Sequence, residues 1–377
     1  MAARASLAFL GQEDVVLSSK PEVTYFIEKY TGRTPFSSRV DEVQFQADLQ
    51  TFGTESWTTF PRSGDMITNL YLKINAPLPT NTPVLNSAGT LMFKYADLYI
   101  GSQLVERLWG EYVEMKYDLE IPASKQATLK TLIGKGTLAS RSEYTIPLPF
   151  SGIEKGLPIC NIKDDVTIRV LWRPVSFFTS PPILTARNFD SVLHVEYTYL
   201  SEKEISSIKA STKLFMFEQV QLAQFFVRQG INSVVCPLQF VNPVKEIFLI
   251  IQNDTATGYD YSNVTGGSSP QLQDLTLFFN STERISADVG TPLFLRNLQA
   301  LEFHTRIPDR FFYMYSFSID PESSAPSGQI NFSRIPLQNL KLNLTASTAN
   351  RYIRVWAVSC NFIDKDFKVL FNNIEFT

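Results

Sequence analysis

Four stretches of this chain alternate apolar and polar residues with a period of two, and no other feature limits the fold as much. Val166, Ile168 and Val170 alternate with Thr167 and Arg169, and Leu340, Leu342 and Leu344 alternate with Lys341 and Asn343. Leu193, Val195, Tyr197 and Tyr199 stand against His194, Glu196 and Thr198, and Ile353, Val355 and Ala357 against Tyr352, Arg354 and Trp356. A strand sends successive side chains to opposite faces, so this period belongs to β-strands with two different faces. Polar and Gly/Pro segments such as Asn263–Pro270 and Pro321–Gly328 supply the turns. Helical signals are few. Ser124–Ile133, closed by Gly134, is one. Thr291–Leu301 is another, with Thr291 as N-cap, Pro292 in the first turn, and Phe294, Leu295, Leu298 and Leu301 predicted on one face.

The pattern also repeats. Trp57-Thr-Thr-Phe-Pro61 followed by Leu70-Tyr-Leu-Lys-Ile74 is echoed by Ser233-Val-Val-Cys-Pro237 followed by Ile247-Phe-Leu-Ile-Ile251. Leu98-Tyr-Ile-Gly-Ser102 is matched by Leu277-Phe-Phe-Asn-Ser281, and Thr145-Ile-Pro147 by Arg306-Ile-Pro308. The strands at Val166 and Leu193 recur at Leu340 and Ile353, in the same order throughout. Five matched pairs in one order predict duplication of a single β domain. The polar stretch Ser201–Thr212, with Glu202, Lys203, Glu204 and Lys209, marks the junction. The expected division is an N-terminal arm at residues 1–20, a first domain at 21–200, a linker at 201–212, and a second domain with a C-terminal tail at 213–377. The expected class is all-β: two tandem eight-stranded sandwiches of the jelly-roll type, with short helices in loops. Pattern alone leaves other sandwich connectivities open.

Composition narrows the function. Hydrophobic residues make up 44%, with 29 Phe and 15 Tyr, enough for a large core and against global disorder. Lys and Arg total 34 against 37 Asp and Glu, a net charge of -3, so the long-range pull of a nucleic-acid binder is missing. Cys160, Cys236 and Cys360 are widely spaced, which disfavours a disulfide framework or Cys-rich zinc site and suits thiols in a reducing, intracellular setting. The apolar tetrad Leu7–Leu10 is short for a signal-peptide core, so none is expected, and with Ala2 after Met1 N-myristoylation is not expected either.

Groups for catalysis are thin. The two histidines, His194 and His304, read as surface or hydrogen-bonded strand residues, and neither belongs to a metal-ligand pair. Gly134-Lys-Gly-Thr137 closes a helix instead of opening one, so it reads as a C-cap rather than a phosphate loop. Asp164-Asp165 and Glu202/Glu204 fall at turn or linker positions, where solvated charge is expected. Of the sequons at Asn263, Asn280, Asn331 and Asn343, only Asn263 sits in a Gly/Ser-rich loop. The chain is expected not to be an enzyme: no catalytic, cofactor-binding or metal-ligating residue is assigned, and no cofactor.

Several runs in the second half carry a resemblance. Phe303-His-Thr-Arg-Ile-Pro-Asp-Arg310, Tyr313-Met-Tyr-Ser-Phe317 and above all Pro326-Ser-Gly-Gln-Ile-Asn-Phe-Ser-Arg-Ile335 resemble the double jelly-roll major capsid protein of nucleocytoplasmic large DNA viruses, of iridovirus and phycodnavirus type. Pro21–Tyr25, Tyr30–Thr34, Phe60–Asp65, Val195–Leu200, Glu218–Gln221 and Asn242–Glu246 resemble that family in the same order. Two departures stand out: the chain is shorter than most members, and Phe367–Thr377 replaces a glycine-rich C-terminal stretch.

The resemblance implies a homotrimer forming a pseudo-hexameric capsomer that tiles an icosahedral shell. Its partners would be neighbouring capsomers and minor capsid proteins, with contact to an internal membrane allowed and direct nucleic-acid binding not expected. It would reside in the virion and assemble in the host cytoplasm. The alternatives are a minor capsid or scaffold protein of the same fold or, further off, a double jelly-roll carbohydrate-binding protein or glycan hydrolase. Met1–Lys20 and Lys368–Thr377 are expected on the inner face or against a neighbour, and Thr255–Pro270 is expected as an exposed outer loop.

Overall fold

The computed structural model describes residues 36–371 except 48, 76, 77, 80, 212, 213, 265, 266 and 365, together with scattered positions before residue 36. In the first half the strands of four or more residues are β1 (Phe36–Gln44), β2 (Glu55–Thr59), β3 (Met66–Asn75), β4 (Phe93–Ile100), β5 (Gln103–Trp109), β6 (Glu143–Pro147), β7 (Val166–Trp172) and β8 (Asn188–Leu200). The second half holds β9 (Phe215–Val227), β10 (Ser233–Leu238), β11 (Pro243–Asn253), β12 (Leu272–Phe279), β13 (Thr282–Ile285), β14 (Phe312–Ser316), β15 (Gln338–Leu344) and β16 (Arg351–Ile363).

The first half forms two antiparallel sheets ordered β1-β8-β3-β6 and β2-β7-β4-β5. The second forms β9-β16-β11-β14 and β10-β15-β12-β13, the same order with eight added to every number. The two-residue strands Gln50–Thr51 and Ile330–Asn331 extend the first sheet of each half. Each half is therefore an eight-stranded jelly roll, and the chain is a double one. Paired strands start between 163 residues apart (Asn188 to Arg351) and 179 apart (Phe36 to Phe215). One echo is misplaced. Arg306-Ile-Pro308 lies in a loop whose Arg306 and Arg310 reach the neighbouring sandwich, and the true partner of Glu143–Pro147 is Phe312–Ser316, which follows that loop.

Alternation explains both interiors. Leu70, Leu72, Ile74, Leu193, Val195 and Tyr197 meet Leu98, Ile100, Ile168 and Val170, all buried. Ile247, Leu249, Ile251, Ile353, Val355 and Ala357 meet Leu275, Leu277, Leu340 and Leu342 in the second.

The helices sit in connections. Between β5 and β6 lie α1 (Gly110–Glu120) and α2 (Ala123–Ile133). The expected α2 closes at Gly134, whose φ of +73° suits glycine and whose N–H donates to Lys130 O. The junction after β8 forms α3 (Glu202–Ala210), with Glu202 and Glu204 in its first turn and Lys209 in its last, the polarity a helix dipole favours.

The segment after Thr291 departs from its expected face. Leu293–Leu298 winds as a π-helix before an α-helical turn at Gln299–Phe303. The wider turn rephases the side chains: Leu295 is buried, whereas Leu298 and Leu301 face solvent. Thr255–Pro270 departs as well. Its tip is exposed, but Tyr259 and Tyr261 are buried in the core, and Gly258, at φ +61°, packs against Leu85 and Leu91. Of the two termini expected on the inner face, Met1–Lys20 falls almost wholly outside the described residues, as do 372–377. The described part of the tail folds back, with Val369 bridging Ile363 and Val369 N donating to Gln103 Oε1 at 3.1 Å.

Candidate functional site at the seam between the sandwiches

The two jelly rolls are joined by a face that alternation alone would leave polar. Ile247, Leu249 and Ile251 of β11 point into the second sandwich, while Phe248 and Ile250 point out of it and into the core of the first. Trp356 and Val358 of β16 and Phe312 and Met314 of β14 do the same. The β9-β16-β11-β14 sheet is thus apolar on both faces, which is why Ile247–Ile251 reads as an unbroken apolar run. Against it lies α1 of the first sandwich, with Tyr112 edge-on to Phe248 at 6.0 Å between ring centroids.

Ionic groups fix this contact. Glu114 of α1 accepts hydrogen bonds from Ser87 Oγ (2.7 Å), Thr90 Oγ1 (2.8 Å) and Arg310 Nη1 (2.5 Å). Arg310 comes from the loop before β14, so it crosses from the second sandwich into the first; its Nη2 also donates to Ser87 Oγ at 3.0 Å. Lys135 pairs with Asp118 and lies 3.5 Å from Glu114. Burial works to raise the Glu114 carboxyl, but the Arg310 and Lys135 charges outweigh it and hold it below the ordinary value. Asp118 goes the other way: burial wins over Lys135 and Arg310 and raises it. Two further links cross the seam nearby, Arg354 to Glu111 at 2.9 Å and Arg306 Nη1 to Asp118 O at 3.2 Å.

A second polar layer lies where β9 passes the first sandwich. Gln219 Nε2 donates to Val105 O at 2.7 Å, and Ser151 Oγ accepts from Glu218 N at 2.7 Å. Glu106 accepts from the Ser151 and Gly152 backbone N–H groups at 3.0 and 3.3 Å. Burial nevertheless pushes its carboxyl up to about 8. Lys245 binds Glu218 at 2.7 Å.

His304 is neither on a strand nor at the surface, contrary to expectation, though it is hydrogen-bonded as expected. It ends the Gln299–Phe303 helix with its side chain buried, 3.2 Å from Glu322 and 3.5 Å from Glu246. Burial would lower its pKa, but the bond to Glu322 and the Glu246 charge raise it. His194 does lie on the outer face of β8, 3.6 Å from Glu42. Asp164 and Asp165 are exposed in a turn held by Arg62, whose guanidinium donates to the carbonyls of Ile162, Lys163 and Asp164. Asn263 uses its amide to reach Ala346 O at 3.3 Å. Among the described residues no group of three or more His, Cys, Asp or Glu is placed to hold a metal, and no helix is long and apolar enough to cross a membrane.

The structure joins the motifs noted in the sequence to this frame. Phe303–Arg310 supplies His304, Arg306 and Arg310 to the seam. In the Pro326–Ile335 run, Phe332 is core, Asn331 Oδ1 accepts from Ser333 N at 3.1 Å, and Ser333 Oγ accepts from Asn242 N at 2.8 Å, where β11 begins. Arg334 is exposed and makes no ion pair among the described residues.

Comparison with known proteins agrees with this frame over nearly the whole chain. Residues 24–201 match the family described as major capsid protein N-terminus, and residues 204–370 match the large eukaryotic DNA virus major capsid protein. The chain belongs to the major capsid protein family of large eukaryotic DNA viruses. This capsid protein is 26% identical to the major capsid protein of Pyramimonas orientalis virus, over 95% of both chains. It is 21% identical to that of Paramecium bursaria Chlorella virus 1, over 92% of this chain and 87% of the relative. Among solved structures, the PBCV-1 virus capsid superposes with a TM-score of 0.81 at 17% identity, covering 93% of this chain and all of that one. The Faustovirus major capsid protein superposes with a TM-score of 0.76 at 10% identity, covering 96% of each. These likenesses agree on the double jelly roll. The capsid protein is a component of the virion shell.

Proposed function

We propose that this capsid protein is the repeating tile of an icosahedral shell. Three copies associate into a capsomer of nearly hexagonal outline, and capsomers meet neighbouring capsomers and minor capsid proteins. The observation that carries this reading is the duplication itself. Two sandwiches of one topology are locked side by side by Phe248, Trp356 and the Arg310–Glu114 pair, so each chain offers two similar corners of a six-cornered ring. Catalysis has no part in this role. A net charge of -3 suits a shell that surrounds a genome without gripping it. The segments that serve it are an arm at 1–20, jelly rolls at 21–200 and 213–377, and a connection at 201–212. The arm and the tail from Lys368 lie toward the interior or a neighbour, where contact with an internal membrane would occur, and assembly proceeds in the host cytoplasm. Native mass measurement and electron microscopy of the purified chain test this. Trimers with a hexagonal outline are expected, and a stable monomer that binds glycans would overturn it.

A further inference from the structure

The trimeric reading leaves open which surfaces meet, and the duplicated fold supplies an answer. Within one chain the connection between the fifth and sixth strands of the first sandwich, α1, covers the outer face of the β9-β16-β11-β14 sheet of the second. The same connection in the second sandwich, between β13 and β14, carries the Leu293–Phe303 helical segment. It exposes a ridge: Leu293 is 70%, Leu298 48% and Leu301 70% exposed, while Leu295 beneath them is buried. Ile307, just beyond, is also exposed.

The face such a ridge would cover by this rule, the outer face of the β1-β8-β3-β6 sheet, is open too. Register places Val40, Glu196 and Asn69 in one outward row and Glu42, His194 and Tyr71 in the next. Phe36 and Val40 on the edge strand are 66% and 55% exposed, and Tyr71 is half-buried.

We infer that the Leu293/Leu298/Leu301 ridge of one copy docks on the outer face of the β1-β8-β3-β6 sheet of a second copy, around Val40 and Tyr71, repeating between chains the seam that α1 makes within one. The contact is head-to-tail, ridge to sheet, so every copy offers one of each and a ring closes without a leftover face. The chemistry of the two seams differs in the direction this requires. The internal counterpart of the Glu42–His194–Tyr71 row is Leu222–Trp356–Phe248, apolar and covered from the moment of folding. The open face must remain soluble until a partner arrives, and a mixed polar surface with a small apolar centre is the composition of an interface between separately folded units.

This inference rests on the trimer proposed above, and one experiment separates the two. The full chain carrying Cys160→Ser, which removes the half-exposed thiol, serves as background. Leu293→Ser, Leu298→Ser and Leu301→Ser together should weaken association about 100-fold or more, shifting trimer to monomer by native mass, with thermal unfolding of the monomer nearly unchanged because all three side chains face solvent. Val40→Cys combined with Leu298→Cys should yield a disulfide between chains under oxidation, absent in either single variant. A trimer that survives the triple serine variant, or that forms no inter-chain disulfide from the cysteine pair, overturns the ridge while leaving the trimer standing. A background protein that stays monomeric at every concentration overturns both.

Discussion

Arg310→Met tests the account of the seam most directly. The guanidinium is nearly buried and reaches Glu114 at 2.5 Å and Asp118 at 3.8 Å, two carboxylates that are themselves buried. Methionine keeps much of the volume and the contact with Tyr259, over whose ring the guanidinium lies 5.3 Å from the centroid. What it removes is the charge. Lys135 then faces Glu114 and Asp118 together, and one buried carboxylate is left without a counter-ion. Breaking a buried pair from one side costs about 3–5 kcal/mol, mostly the desolvation of the partner left behind. At about 2.1 cal/mol/K per residue over the compact unit beginning at Phe36, that is a fall in melting temperature of about 4–7 °C. Adding Glu114→Gln removes the stranded charge, so the double variant should recover at least half the loss. Calorimetry on the single and double variants decides the matter. A single variant within about 1 °C of the parent, or a double variant worse than the single, would refute the view that Arg310 neutralises Glu114 across the seam.

Adjacent residues on β11 should fail differently. Phe248→Ala should cost about 3–5 kcal/mol and loosen the seam, exposing α1 to protease before either sandwich unfolds, whereas Leu249→Ala should unfold the second sandwich itself. Proteolysis followed by mass spectrometry distinguishes them. Gly110→Ala should prevent α1 from seating, because a Cβ there meets Thr90 O at 2.5 Å and Phe93 O at 2.7 Å, both backbone; soluble yield and melting temperature report it. Glu106 supplies a pH dependence. Its folded carboxyl is pushed up to about 8 from an ordinary 4.5, so the folded chain holds a proton that the unfolded chain releases earlier. The stability it contributes is complete below about 4.5 and is lost as pH rises from there through 8. Denaturant midpoints at pH 5 and pH 9 should therefore converge in Glu106→Gln relative to the parent.

The strands and their duplication were legible because period-two alternation is a local signal. The seam was not, although part of it was in view. Tyr352, Arg354 and Trp356 occupy the off-phase positions of β16 and pass for an outward polar set, yet Trp356 is fully buried. The sign lies in comparing the halves: the off-phase residues are Tyr71, Lys73 and His194 in the first sandwich but Phe248, Ile250 and Trp356 in the second. An apolar off-phase set in only one copy means a sheet covered on both faces. Helix α1 stayed hidden for a different reason. Glu111, Glu114 and Asp118 interrupt any apolar face, and they are buried only because Arg354, Arg310 and Lys135 reach them, two of those from the other half of the chain. Distant pairing leaves no periodic trace. The π-helix at Leu293–Leu298 defeated the predicted face because its wider turn breaks the spacing on which that reading rested.

The asymmetry between the two copies follows from the order in which their faces are buried. After duplication, one sandwich always has its partner within reach at the high effective concentration of a single chain, so the centre of its outer face could become apolar without exposing the free protein to aggregation. The corresponding face of the first sandwich has no such partner until a second molecule arrives. It keeps Glu42, Glu196, His194 and Lys73, and its exposed apolar side chains, Val40 and Phe36 with the half-buried Tyr71, are interspersed with these polar groups. On this reasoning the same topological contact is an irreversible core in one place and a reversible joint in the other. Replacing Glu42, His194 and Glu196 by the leucine, tryptophan and valine their counterparts suggest should tighten association between copies and at the same time lower the soluble yield. A variant that tightens association with no loss of solubility would show that the polar face is not kept for that reason.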